Sequence, residues 1–141
     1  MSHYLDTSVV VALLLQDAHS SRTDSWLIRE KPTFLASDFC AVEFAAVVSR
    51  RVRMNRLTAE TANLAFRRFD EWLSRNVQIV RCAPEHMAAA GQIVRDFTSK
   101  LSTPDAIHLA ITRLSGATLA AFDDRLADAA RRHAVPVMIP D

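Results

Sequence analysis

Asp6, Glu43, Asp105 and Asp123 stand where a strand-like run turns into a helix-like one, or within the first turns of a helix. In a sheet covered by helices, such positions face one edge, outside the carboxyl ends of the strands. Four carboxylates gathered there without basic partners repel one another, so either their proton affinities rise or a cation sits among them. A hard divalent ion such as Mg2+ or Mn2+ takes oxygen ligands, keeps several waters, and shares its shell with a substrate phosphate. It lowers the pKa of a bound water, orients that water for in-line attack on phosphorus, and stabilises the departing oxygen. That chemistry needs no nucleophilic side chain.

Each acid also has a plainer explanation. Asp6 and Asp123 suit helix N-caps, and Asp105 suits the positive end of its helix. Glu43 is harder to explain in this way. It shares a helical face with Phe39, Ala46 and Val47, where an unpaired carboxylate is costly. Periodicity alone leaves both explanations open.

The elements that must position these acids follow from alternation. Short apolar runs of strand length lie at Tyr4-Leu5, Thr33-Ala36, Val77-Val80, Thr118-Ala121 and Pro136-Ile139, each separated from the next by helical periodicity. That pattern implies a parallel sheet with helices on both faces. Start signals stand at Asp6-Thr7-Ser8, Ser37-Asp38, Thr103-Pro104 and Asp123. Ile107, Ala110, Ile111 and Leu114 give one helix a buried stripe, and Phe39, Val42, Ala46 and Val47 give another. Residues 52–76 read as a helical hairpin projecting from the sheet, with Leu57, Leu64, Phe66, Phe69, Trp72 and Leu73 as its apolar material.

The totals bound the rest. A 141-residue chain, 50% hydrophobic and 23% charged, fits one domain over residues 1–141. A net charge of +1 supplies no strong overall field for a polyanion, so any nucleic-acid contact is local. All basic residues but Lys31 and Lys100 are arginine, a side chain suited to forked contacts with phosphate or carboxylate. Arg50, Arg51, Arg53 and Arg56 cluster at the end of the Glu43 helix, with Arg67 and Arg68 on the next. They suit a solvated helix terminus and RNA contact equally well. Cys40 and Cys82 read as reduced core residues, and no Cys/His spacing resembles a zinc site. The apolar run Val9 to Leu15 is too short to span a bilayer, so a cytoplasmic protein without membrane attachment is expected. His3, His19, His86 and His133 show no partner pattern, and His108 reads as a structural hydrogen-bonding residue.

Taken as motifs, Tyr4-Leu5-Asp6-Thr7-Ser8, Glu43, Thr103-Pro104-Asp105-Ala106-Ile107-His108-Leu109-Ala110 and Phe122-Asp123-Asp124-Arg125-Leu126 resemble, in order and spacing, the PIN-domain family of nucleases. Within it the chain looks most like the VapC-type toxins. The resemblance implies an α/β three-layer fold with a five-stranded parallel sheet of order 3-2-1-4-5. It also implies that Asp6, Glu43, Asp105 and Asp123 form the catalytic, metal-holding cluster, with Thr7 or Ser8 as supporting polar contacts. A toxin of this kind implies Mg2+- or Mn2+-dependent cleavage of transfer or ribosomal RNA, a homodimer, and a cognate antitoxin. Ala121 departs from the pattern, because many members carry Ser or Thr two residues before the fourth acid.

Other classes fit less well. An aspartyl phosphatase resembles Asp-x-Asp after the first strand, and position 8 is Ser. Two isolated glycines cannot form a dinucleotide-binding loop. A receiver domain needs a late lysine that is missing here. A housekeeping RNA-processing PIN nuclease and a PIN-like binding protein without catalysis are the remaining alternatives; the presence of all four acids argues against the second.

Overall fold

The computed structural model describes residues 2–141. In chain order the elements are β1 (Ser2–Leu5), α1 (Thr7–Leu14), α2 (Ser20–Glu30), β2 (Thr33–Ser37), α3 (Asp38–Arg53), α4 (Ala59–Asn76), β3 (Val77–Val80), α5 (Pro84–Arg95), α6 (Thr103–Ser115), β4 (Thr118–Ala120), α7 (Asp124–Arg132) and β5 (Val137–Met138). The strands form one parallel sheet of order β3-β2-β1-β4-β5, the order the resemblance implied.

Successive strand residues point to opposite faces, and two cores result. Tyr4, Leu35 and Leu119 join Ile107, Ile111 and Leu126 on the face covered by α5, α6 and α7. Their neighbours Leu5, Phe34 and Ala120 pack with Val9, Val10, Trp26 and Phe44 on the face covered by α1 to α4. Each fully buried aliphatic or aromatic side chain contributes about 1.5–3 kcal/mol. The two central strands, β1 and β4, are thereby fixed from both sides, and their carboxyl ends become a rigid platform.

Three expectations about helices and thiols are revised. The buried stripe of α3 is Cys40, Phe44 and Val48, whereas Val42 is 68% exposed. The helix is rotated so that Phe44 meets Phe69 of α4. Residues 52–76 hold the end of α3 and one long helix, α4, in place of the expected projecting hairpin, and α4 packs into the core: Phe69 is buried and stacks on Phe44, with ring centroids 4.5 Å apart. Cys40 is a buried thiol pushed up to about 12 by burial, but Cys82 lies only partly covered at the edge of its core.

Candidate active site

A cleft of about 630 Å3 opens at the carboxyl edge of the sheet and is lined by Asp6, Thr7, Ser8, Glu43, Asp105 and Asp123, with Asp17, His19, Val47 and Phe122 on its rim. The chain reaches it from four directions. β1 delivers Asp6, whose backbone N–H donates to the Ala120 carbonyl at 3.0 Å and so ties the exit of β1 to that of β4. Ser37 ends β2 and caps α3 through Cys40 N, setting Glu43 about one turn into the helix. Ser102 caps α6 and leaves Asp105 in its first turn. β4 leads through Ala121 and Phe122 to Asp123, the N-cap of α7.

The two aspartates that suited helix caps differ. Asp6 makes no side-chain cap bond; its Oδ2 instead accepts from the Ser8 hydroxyl at 2.6 Å. Asp123 does cap, its Oδ1 accepting from Arg125 N at 2.8 Å and Leu126 N at 3.3 Å. Its second carboxylate oxygen remains for a ligand. Ala121 is fully buried and packs in the α5–α7 core.

Glu43 is held from below. The Thr7 hydroxyl donates to its Oε1 at 2.7 Å, and His108 Nε2 makes a short bond to the same oxygen. On the other side of the imidazole, Nδ1 lies 2.7 Å from the Tyr4 hydroxyl, which itself donates to Ser37 Oγ. Nε2 thus faces the Glu43 carboxylate while Nδ1 shares a hydrogen bond with the Tyr4 hydroxyl, so both ring nitrogens are engaged. Burial alone would lower the His108 pKa; the Glu43 bond and the charges of Asp6, Glu43 and Asp105 outweigh it, and the net shift is upward from 6.5. Burial would likewise raise Glu43, but the bonds from His108 and Thr7 prevail and lower it from 4.5. Contrary to the expectation of acids without a basic partner, a titratable histidine stands among them: His108 bonds Glu43 and lies 3.7 Å from Asp6 Oδ1.

His108 does not offset the whole cluster, as Asp105 shows. Burial, then the charges of Asp6 and Asp123, raise its pKa above 3.8, while Ser102 and His108 pull the other way without prevailing. Among the described residues no three His, Cys, Asp or Glu side chains already converge as a ready-made metal cage. An all-oxygen donor set with uncompensated negative charge nonetheless fits a hard divalent ion that keeps most of its waters. The arginines fall outside the cleft, with Arg50, Arg51 and Arg56 lining a neighbouring depression that shares Val47 with it.

The PIN domain family model matches residues 3–132. Among solved structures, Mycobacterium tuberculosis VapC20, described as a Sarcin-Ricin loop cleaving toxin, is similar with a TM-score of 0.72 and 24% identity over 90% of this chain and 94% of that one. VapBC2 from Rickettsia felis, bound to a DNA fragment from its promoter, gives a TM-score of 0.72 and 15% identity over 100% of both chains. A toxin-antitoxin complex from Klebsiella pneumoniae gives 0.68 and 18% identity over 99% and 98%. At these identities the likeness speaks for the fold. No match was found among curated protein sequences.

Proposed function

Because this chain belongs to the PIN domain family, we propose that it is a divalent-metal-dependent endoribonuclease, the toxin of a toxin–antitoxin pair, hydrolysing phosphodiester bonds in structured RNA such as transfer or ribosomal RNA. The observation that carries this reading is the gathering of Asp6, Glu43, Asp105 and Asp123 around one cleft at the carboxyl edge of the sheet. The similarity to a loop-cleaving toxin and to toxin–antitoxin complexes supports it. The 141 residues act as one domain, pair as a homodimer in the cytoplasm, and are inhibited by a cognate antitoxin. Among the described residues no helix is long and apolar enough to cross a membrane.

Asp6, Asp105, Asp123 and Glu43 are the residues that would hold Mg2+ or Mn2+. When bound, the ion supplies an activated water and neutralises the charge that builds on phosphorus in the transition state. The protein's own part is orientation. Ser8 fixes the rotamer of Asp6, Thr7 and His108 fix Glu43, and the N-terminal turns of α6 and α7 hold Asp105 and Asp123. The neighbouring acids favour the charged form of His108, whose charge offsets part of theirs.

Purified protein incubated with cellular RNA should cleave it in Mg2+ or Mn2+ and stop in excess chelator. Full cleavage in metal-free buffer, once a contaminating nuclease is excluded, overturns the mechanism.

A further inference from the structure

At the rim of the cleft, next to Asp123, the His19 ring lies flat on the ring of Phe122, with centroids 4.2 Å apart and planes 12° from parallel. The guanidinium of Arg22 sits over the same Phe122 ring at 4.6 Å and reaches His19 Nδ1 at 2.6 Å. Arginine has no acceptor, so Nδ1 takes its hydrogen bond and the ring proton belongs on Nε2. The backbone is equally fixed. His19 N donates to Asp17 Oδ1 at 2.8 Å, and the His19 carbonyl accepts from Thr23 at the start of α2. Both rings line the cleft and both are only partly buried. Sequence spacing shows no partner for His19.

An aromatic ring held in one orientation, partly exposed beside a phosphodiester-cleaving site, has the form of a base-stacking platform. Unpaired nucleobases stack on His, Phe and arginine planes, and a stack is tolerant of base identity. Resting on the ribonuclease reading above, we infer that His19, backed by Phe122 and Arg22, stacks on an unpaired nucleobase flanking the scissile phosphate, so that the cleft takes RNA at a single-stranded position. Phe122 supports the ring from behind. Arg22 fixes its rotation, leaving Nε2–H as a donor toward the base or its phosphate.

The test uses short single-stranded RNAs carrying the fluorescent adenine analogue aminopurine at successive positions. They are bound in Mg2+ by the full chain with Asp105→Asn to preserve the strand, and intactness is checked on a gel. Stacking quenches the analogue. One position should be quenched, and a fully paired duplex of the same sequence should not be. His19→Phe should keep the quenching, whereas His19→Leu, which retains apolar cover but has no π face, should lose it and weaken binding about tenfold, the scale of one lost stack. In the chain with Asp105 restored, His19→Leu should raise KM for RNA cleavage more than it lowers kcat. Absence of quenching at every position, equal quenching of the duplex, or unchanged quenching in His19→Leu each overturns the platform. Failure of the ribonuclease reading is separate, and is seen as no cleavage of any RNA by the unaltered chain in Mg2+ or Mn2+.

Discussion

At the scale of single residues, neighbours of identical type have unlike surroundings. Asp123 lines the cleft and caps α7, while Asp124 is an exposed residue in the first turn of that helix. Asparagine caps a helix about as well as aspartate, so Asp123→Asn should leave stability almost unchanged and still reduce RNA cleavage strongly. Asp124→Asn should change cleavage little at the same metal and RNA concentrations. A reversed ranking would make Asp124 the fourth acid. Asp6→Asn and Asp105→Asn should each remove most activity at saturating metal. Asp105 adds a pH signature, because its proton is held more tightly in the fold than at the ordinary 3.8. Such a group opposes folding only when ionised: the opposition is absent below the ordinary range and grows as pH rises through the raised value. In chelator, the stability advantage of Asp105→Asn over the unaltered chain should therefore increase with pH through that window, as read by denaturant melts. A constant difference would mean that burial and the charges of Asp6 and Asp123 do not raise the Asp105 pKa in the fold. Asp6, Asp105 and Asp123 stand at element boundaries and Glu43 inside α3, but periodicity left their plainer explanations open, and the motif resemblance supplied the cluster. His108 beside them was not legible, since its partners Glu43 and Tyr4 lie 65 and 104 positions away along the chain.

Among elements, strand positions followed closely from apolar runs, because a strand buried on both faces leaves few other readings for a short Val/Leu/Ala segment. Helix faces were less legible. In α3 both Phe39-Glu43-Val47 and Cys40-Phe44-Val48 repeat at helical spacing, and only the arrival of α4 selects the second as core. Phe69 carries that selection through its stack on Phe44. Phe69→Ala should destabilise the protein by about 3–5 kcal/mol in denaturant unfolding, while a change at exposed Val42 to Thr should be nearly silent. Gly116 ends α6 at φ 67, in the left-handed region, with open space where a Cβ would be. Gly116→Ala should therefore cost about 1 kcal/mol through backbone conformation alone. A larger loss would reveal a steric contact.

For the molecule as a whole, a ligand that binds only the folded cluster must stabilise it. Saturation with Mg2+ or Mn2+ at a hundredfold excess over Kd should raise unfolding stability by about 2.7 kcal/mol, reversed by chelator; an unshifted melt would count against a metal centre. The same acidity suits a second ligand, an arginine supplied by an antitoxin, so inhibitor and metal should compete in titrations. Growth without arrest when this chain is expressed alone, with no small partner co-purifying, would count against the toxin role. The sheet order has a temporal consequence. Asp6 is synthesised before Asp123, but β1 lies between β2 and β4, and Asp123 follows β4. Nascent chains fold from the amino end as they emerge, so the first acid waits for the last. A partly made chain holds β1, β2 and β3 with one side of β1 unpaired and the cluster incomplete. The topology thus acts as a delay, withholding the complete acid cluster until β4 and Asp123 have been made.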